Sequence, residues 1–240
     1  MSEPVRQDAL AIIPARGGSK RVPRKNIKAF LGMPMLARTV GLLQASGAFS
    51  GIVVSTDDDE IAAIATQAGA LVPFRRPPEL SNDMAATLPV IAHAIREMEA
   101  LGVTTASVCC VYPAAVLSRP EDYTRARELL GSSDLDFVFT ATSFGFPIQR
   151  ALRRTPDGRC EMFQLEHRLT RSQDLEPAFH DAGQFYFGTR AAWLEGRPFF
   201  GHRSAMLELP RWRVQDIDTL EDWERAEMIF QLLQKEPRIG

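Results

Sequence analysis

Short apolar runs alternate with stretches of helical periodicity between residues 9 and 141, and this alternation limits the fold more than any other feature. The apolar runs have the length of strands and lie at residues 9–15, 52–55, 70–74, 107–112 and 136–141. Helical spacing of apolar residues lies at residues 34–44, 60–67, 88–98 and 120–130. Strands separated by helices favour βαβ units, because parallel neighbours need a crossover connection. We therefore predict an α/β fold with a mainly parallel sheet and helices on both of its faces.

The pattern changes after residue 142. Residues 144–164 hold a Pro-Asp-Gly turn flanked by strand-like pieces, which predicts a hairpin. Residues 180–188 are expected to return to the sheet, and residues 219–235 to form a C-terminal helix with a capping box at Thr219 and Asp222. We expect residues 1–240 to form one domain that carries an excursion near residues 143–185.

The excursion contains three phenylalanines that a monomer would expose, namely Phe144, Phe146 and Phe163. Contiguous apolar surface of this kind is typical of an interface between protein chains. Because most oligomers are closed and symmetric, we expect a homodimer.

The composition excludes several classes of protein. The chain has 28 Lys and Arg against 30 Asp and Glu, and the net charge of -2 leaves no basic surplus for binding nucleic acid. No segment has the roughly 18 apolar residues that cross a membrane. The first eight residues, MSEPVRQD, are too polar for a secretory signal, so a cytoplasmic location is expected.

The richest motif is the basic loop after the first strand, IPARGGSKRVPRKN at residues 13–26. Its basic side chains surround the pair Gly17-Gly18 and are Arg16, Lys20, Arg21, Arg24 and Lys25. Glycines let backbone N–H groups approach an anion, and open α/β sheets bind ligands at the carboxyl ends of their strands. The loop is neither a P-loop nor a GxGxxG motif. An anion site is favoured, while a solvated basic loop or an RNA contact is the alternative.

This loop resembles the signature loop of the cytidylyltransferases that make CMP-activated sugar acids, including the CMP-sialic acid synthetases. Further blocks extend the resemblance over nearly the whole chain: residues 76–87 resemble the family's second nucleotide segment and residues 215–223 its metal-binding segment. Two shorter blocks, FPIQRAL at 146–152 and DAGQFY at 181–186, are most similar to the pseudaminic acid branch.

The resemblance implies a three-layer Rossmann-like nucleotidyltransferase fold whose excursion serves dimerisation. It implies transfer of CMP from CTP to the nonulosonic sugar acid pseudaminic acid, with release of pyrophosphate and with Mg²⁺ as cofactor. A CMP-sialic, CMP-legionaminic or CMP-ketodeoxyoctonate synthetase is the alternative within the family. From other classes, an inactive nucleotide-sensing module and an RNA-binding protein remain, although the intact loop and the net charge speak against them.

The resemblance also assigns roles within the basic loop. It implies that Arg16, Lys20 and Lys25 act on the triphosphate as catalytic residues. It implies contacts to the nucleotide from the rest of the motif, namely Ala15, Gly17, Gly18, Ser19, Arg21 and Asn26. Arg21 departs from the small residue of the sialic acid enzymes and is similar to a phosphate contact of the ketodeoxyoctonate branch.

Four residues outside the loop are candidate substrate contacts with structural alternatives. Arg76 is predicted to bind the base or a phosphate, or else to lie along its neighbouring prolines. Thr87 is a nucleotide contact or a helix N-cap. Gln149 and Gln184 are candidate sugar contacts, or else pack within the sheet or between subunits.

Aromatic side chains are expected to complete the sugar pocket. Tyr112 stands where the sialic acid branch has glutamine, which points away from that branch. Together with Phe146, Phe185 and Tyr186 it would suit a less hydroxylated sugar.

Asp216 and Asp218 are the candidate metal ligands. In an extended segment, residues two apart share one face, and hard carboxylate oxygens suit Mg²⁺. Spacing alone leaves helix capping equally open. The family resemblance favours the metal.

Overall fold

The computed structural model describes residues 9–132 and 134–235, so the polar first eight residues lie outside the described residues. The strands are β1 (Ala9–Pro14), β2 (Ala29–Phe30), β3 (Met33–Pro34), β4 (Gly51–Ser55), β5 (Ser107–Val111), β6 (Phe137–Ser143), β7 (Leu152–Arg154), β8 (Cys160–Met162), β9 (Phe179–Thr189) and β10 (Ser204–Glu208). The helices are α1 (Met35–Ser46), α2 (Asp59–Gln67), α3 (Thr87–Ala100), α4 (Pro120–Gly131), α5 (Arg190–Glu195) and α6 (Leu220–Lys235).

The main sheet has six strands in the order β10-β6-β9-β5-β1-β4. β1 pairs in parallel with β4 and β5, and β6 pairs in parallel with β10. β9 runs antiparallel between β5 and β6. The predicted α/β class with a mainly parallel sheet is confirmed, and the carboxyl ends of β1, β4 and β5 lie at one edge of it.

Helices cover both faces of the sheet. Along β1, Ala9, Ala11 and Ile13 pack in the cluster with α1, α2 and α4, whereas Leu10 and Ile12 pack in the cluster with α3 and α5. Because both faces are covered, the strand is an uninterrupted apolar run. The fold is therefore the three-layer arrangement that the sequence predicts.

The predicted strand at residues 70–74 is wrong. Only one bridge forms there, between Val53 and Leu71. The segment lies beyond the edge strand β4, and Pro73 has no N–H to donate to a ladder. β10 was not predicted, since its short run carries no distinctive periodicity.

The excursion leaves the sheet after β6 and returns at β9. Its hairpin, β7 and β8, is a separate two-stranded sheet, and Gly158 closes the turn by donating its N–H to the oxygen of Thr155 at 2.9 Å. Phe144, Phe146 and Phe163 are 42%, 87% and 63% exposed, as predicted for apolar surface on one chain.

Within the described ranges, no helix has both the length and the apolar character that a membrane span requires.

Candidate active site

A cavity of about 700 Å³ opens at the carboxyl ends of β1 and β5. Its walls are the basic loop, the turn before α3, the start of β9 and the segment before α6. Most of the predicted site residues line it: Arg16, Ser19, Lys20, Arg21, Lys25, Asn26, Arg76, Thr87, Tyr112, Asp216 and Asp218. The predicted residues Ala15, Gly17, Gly18, Gln149 and Gln184 are not among its lining residues.

Two polar side chains fix the shape of the basic loop. Asn26 is 8% exposed, and its amide donates to the backbone oxygen of Arg16 at 2.9 Å. The hydroxyl of Ser19 donates to the oxygen of Val22 at 2.8 Å. Buried polar groups need such partners, so both residues hold the loop that presents the basic side chains.

Gly17 lies close to the acidic residues before α2. A Cβ on Gly17 would lie 2.6 Å from a carboxylate oxygen of Asp58, and the N–H of Gly17 donates to Asp57 at 3.1 Å. Close packing therefore accounts for this glycine, and its contact to the nucleotide stays a prediction. The N–H of Ala15 is also engaged, donating to Ser55 at 2.9 Å, and Gly18 has open space around it.

Arg24 does not join the other basic side chains at the cavity. Its guanidinium pairs with Asp58, at 2.5 Å, and with Glu60. Asp58 also caps α2 by accepting from the N–H groups of Glu60 and Ile61. The acidic run at 57–59 thus begins a helix and holds the Arg24 guanidinium away from the cavity.

Arg76 is a buried cation at the cavity wall, 4% exposed. Its Nε and Nη2 atoms have no hydrogen-bond partner, and the nearest carboxylate oxygen, on Asp57, is 3.6 Å from Nη2. Burial lowers the pKa of Arg76. An unsatisfied buried guanidinium is costly, so it is poised to accept a negatively charged or carbonyl-bearing ligand.

Thr87 is not a helix cap. The N-cap of α3 is Ala86, which makes no side-chain capping bond, and Thr87 is the first helical residue. Its hydroxyl lies 2.6 Å from the hydroxyl of Tyr112, and both residues line the cavity. The capping alternative is therefore wrong, and the pair offers hydroxyl groups to a ligand.

The two predicted glutamines serve other purposes. Gln184 is 4% exposed; its amide donates to the oxygen of Arg213 at 2.7 Å and accepts from Ser118 at 2.9 Å. Gln149 lies on the excursion and donates to the oxygen of Glu176 at 2.9 Å. Their prediction as residues of the sugar pocket is not supported, because β9 turns Gln184 into the protein interior.

Two of the expected aromatic residues also lie elsewhere. Phe185 is fully buried against Tyr123, with ring centroids 4.7 Å apart, because consecutive residues of a strand face opposite sides. Phe146 is on the exposed excursion. Tyr112 and Tyr186 do line the cavity, with ring centroids 6.1 Å apart.

Asp216 and Asp218 both face the cavity, and neither caps α6. Thr219 and Asp222 form the predicted capping box, in which Asp222 accepts from the N–H of Thr219 at 2.9 Å. The protein atoms around Asp216 exclude enough solvent to raise its pKa, and the neighbouring Asp218 carboxylate adds to this. Asp218 lies 2.5 Å from Arg21 and 3.8 Å from the ammonium of Lys25.

Within residues 9–132 and 134–235, no group of three or more His, Cys, Asp or Glu side chains is arranged to hold a metal ion by itself. A Mg²⁺ site does not require three protein ligands, since Mg²⁺ commonly takes one or two carboxylates together with substrate phosphates.

A family model described as cytidylyltransferase matches residues 10–235. The chain belongs to the cytidylyltransferase family. It is 43% identical to the pseudaminic acid cytidylyltransferase of Campylobacter jejuni subsp. jejuni serotype O:2 over 223 residues, which are 93% of this chain and 96% of that protein. It is 37% identical over 87% of its length to 40% of a Helicobacter pylori protein named pseudaminic acid cytidylyltransferase and UDP-2,4-diacetamido-2,4,6-trideoxy-beta-L-altropyranose hydrolase.

The fold of this cytidylyltransferase is similar to that of CMP:2-keto-3-deoxy-manno-octonic acid synthetase solved with CTP. The TM-score is 0.67 at 14% identity, over 95% of this chain and 99% of the other. Cytidylyltransferases of this kind generally use a divalent metal ion.

Three acidic residues of this cytidylyltransferase were missed as parts of the site. Asp57 accepts a hydrogen bond from the N–H of Gly17 and lies beside the guanidinium of Arg76. Asp83 pairs with Arg16 and Lys20. Asp181 lines the cavity at the start of β9. The signal for Asp181 was present in the DAGQFY block. In that block, the sequence predicted Gln184 as the sugar contact and not Asp181, which lies three residues earlier.

Proposed function

We propose that this cytidylyltransferase transfers CMP from CTP to pseudaminic acid, giving CMP-pseudaminic acid and pyrophosphate. The similarity to the Campylobacter enzyme along nearly the whole chain carries the choice of substrates. The cavity supports the same reaction, since it combines a cationic wall, a pair of carboxylates and an aromatic wall.

The cationic wall is suited to the triphosphate. Arg16, Lys20, Arg21 and Lys25 approach the cavity from one loop, and their charges are the kind that a polyphosphate needs. Arg76, buried at the cavity wall with unsatisfied N–H groups, supplies a further donor. These residues would orient the α-phosphorus toward the acceptor.

In the proposed reaction, the anomeric hydroxyl of the sugar acid attacks the α-phosphorus of CTP. A new O–P bond forms, the P–O bond to the β-phosphate breaks, pyrophosphate leaves, and the hydroxyl proton passes to water. Charge accumulates on the phosphate oxygens in the transition state, where Arg16, Lys20 and Lys25 would stabilise it. The backbone oxygen of Ile217 accepts from Lys25 at 2.6 Å and so fixes the position of that ammonium beside the Asp216 and Asp218 segment.

Asp216 and Asp218 fit Mg²⁺. They are two carboxylates on the segment before α6, open to the cavity, and one of them already lies beside two cations that a phosphate would attract. When bound there, Mg²⁺ would neutralise phosphate charge and polarise the reacting phosphate. The carboxylates themselves would orient the polyphosphate by sharing the metal with it.

The acceptor end is the part of the wall formed by Tyr112, Asp181 and Tyr186. Phe139 pairs with Tyr186 and Ala141 pairs with Asp181, so β9 has extra residues between these two pairs and forms a bulge. Gly183 lies within the bulge and has a φ of +61°. Bulges often redirect side chains at active sites. The carboxylate of Asp181 and the phenol of Tyr186 flank this bulge, and together with the phenol of Tyr112 they would suit an acylated deoxy sugar.

The quaternary structure and location follow as parts of the same proposal. The exposed apolar side chains of the excursion support a symmetric homodimer built on residues 143–185 of a single domain. A cytoplasmic location is part of the same proposal.

The test is product analysis. Purified protein incubated with CTP, pseudaminic acid and MgCl₂ should release pyrophosphate and form one CMP-linked sugar in equal amounts by mass spectrometry. A chelator should stop both. If neither product forms although CTP binds, the protein is a nucleotide-sensing module instead.

A further inference from the structure

Asp83 forms ion pairs with two of the cations that line the cavity. One of its carboxylate oxygens lies 2.7 Å from Arg16 and the other 2.5 Å from the ammonium of Lys20. The hydrogen bonds from Lys20 and from Arg16 lower the pKa of Asp83. Without a nucleotide, the two cations are therefore bound by an anion that belongs to the chain itself.

This carboxylate and a polyphosphate compete for the same charges. Asp83 lines the same cavity as Arg16 and Lys20, and a phosphate that contacts both cations would meet the Asp83 carboxylate at short range. Like charges at such distances repel each other, so the two anions cannot share the cations without cost.

The segment that carries Asp83 is exposed and is held by local hydrogen bonds. Its side chain is 47% exposed, and the next residue, Met84, is 90% exposed. The turn is held by local bonds around Asn82, which accepts from the N–H of Met84 at 2.8 Å and donates to the oxygen of Glu79 at 2.9 Å. Exposed ion pairs are weak, so exchange of one anion for another needs little energy.

We propose that Asp83 is an internal counter-ion that the β- and γ-phosphates of CTP displace and that returns to Arg16 and Lys20 as pyrophosphate leaves. This inference rests on the proposed function. It makes the site selective by charge, because Asp83 opposes every ligand that needs both cations and leaves a ligand without phosphate unaffected. It also weakens the binding of the product pyrophosphate and so favours its release.

The test is calorimetric titration of the protein with CTP, with inorganic pyrophosphate and with cytidine. Asp83→Asn removes the charge at constant size, and it should lower the Kd of CTP and of pyrophosphate about two- to tenfold. The Kd of cytidine should not change. High salt should reduce the gain, because the effect is electrostatic. Asp83→Glu, which keeps the charge, should bind like the parent.

Asp59→Asn is the matched control. Asp59 forms an ion pair with Arg75 and has 91% of its side chain exposed. The substitution Asp59→Asn therefore removes the same charge as Asp83→Asn without changing the cavity. Weaker binding of CTP and pyrophosphate by Asp83→Asn, or unchanged binding, would overturn the counter-ion role.

The pyrophosphate titration separates the two proposals. If the parent binds pyrophosphate but not CTP, the proposed nucleotide function is wrong. The effect of Asp83→Asn on the Kd of pyrophosphate then still tests the counter-ion role. If the parent binds neither, both proposals fail.

Discussion

The phenol of Tyr186 donates a hydrogen bond to the carboxylate of Asp181 at the wall of the cavity. The other carboxylate oxygen accepts from the N–H of Gly183 at 2.9 Å. Each oxygen retains a lone pair for a further donor. β9 is separated from β1 by β5, so we assign this carboxylate to the proposed acceptor end of the cavity rather than to the basic loop.

Asp181→Asn is therefore expected to raise the KM for the sugar acid about tenfold, the loss typical of a hydrogen bond to a charged group. The Kd for CTP should stay the same. Steady-state kinetics with calorimetry measure both quantities. Asp134→Asn is the control, since Asp134 is 87% exposed and precedes β6 at the opposite end of the strand. A fall in kcat with an unchanged KM would instead place Asp181 in proton transfer.

Arg16→Ala and Lys25→Ala should each reduce turnover at least about tenfold, because each removes a charge beside the reacting phosphates. Arg24→Ala is the matched control from the same loop, since Arg24 is turned toward Asp58 and Glu60. It should retain turnover within about twofold. Circular dichroism checks the fold of each variant. Parental turnover in both Arg16→Ala and Lys25→Ala would remove these residues from catalysis.

Asp216→Asn and Asp218→Asn should each abolish the Mg²⁺-dependent activity, because an amide is a poorer ligand than a carboxylate for a hard cation. Glu221→Gln is the matched control. It removes one charge from the first turn of α6, where the Glu221 side chain is 80% exposed and pairs with Arg225, and it should keep the metal dependence of the parent. Titration of activity with MgCl₂ measures the effect. If the first two variants behave like the parent, these carboxylates do not hold the metal.

Phe146→Ser and Phe163→Ser should weaken the homodimer. Each substitution removes about 2 kcal/mol of favourable free energy from apolar burial, and each loss occurs twice in a symmetric interface. Leu232→Ser on α6, where the leucine is 65% exposed, is the control outside the excursion. Light scattering over a dilution series gives the result. A parent that is monomeric and fully active would exclude the dimer.

The periodicity of the sequence was enough to predict most of the elements. Apolar spacing is a local property, so α3 and α6 and the buried strands β1 and β5 lie close to where the pattern places them. The direction of β9 and the pairing of β10 were not predictable, because they depend on partners far along the chain.

Side-chain directions limited the prediction of the site in the same way. The basic loop was found from its composition, but Arg24 points away because Asp58, 34 residues later, lies beside it. Gly17 is part of the predicted nucleotide loop, but the sequence does not show that Asp58 leaves no room for a Cβ at this position. The start of β9 was recognised as a motif, yet only its bulge shows that Asp181, and not Gln184, faces the cavity.

A parallel comparison of kcat/KM for pseudaminic acid and N-acetylneuraminic acid with CTP tests whether pseudaminic acid is the acceptor. We expect an acceptor wall that offers two phenol rings, of Tyr112 and Tyr186, and the single carboxylate of Asp181 to provide too few partners for the extra hydroxyls of neuraminic acid. Each unpaired group costs roughly 1–3 kcal/mol, so one or two of them predict a preference of about tenfold to a few thousandfold for pseudaminic acid. Equal or better use of N-acetylneuraminic acid would contradict the account.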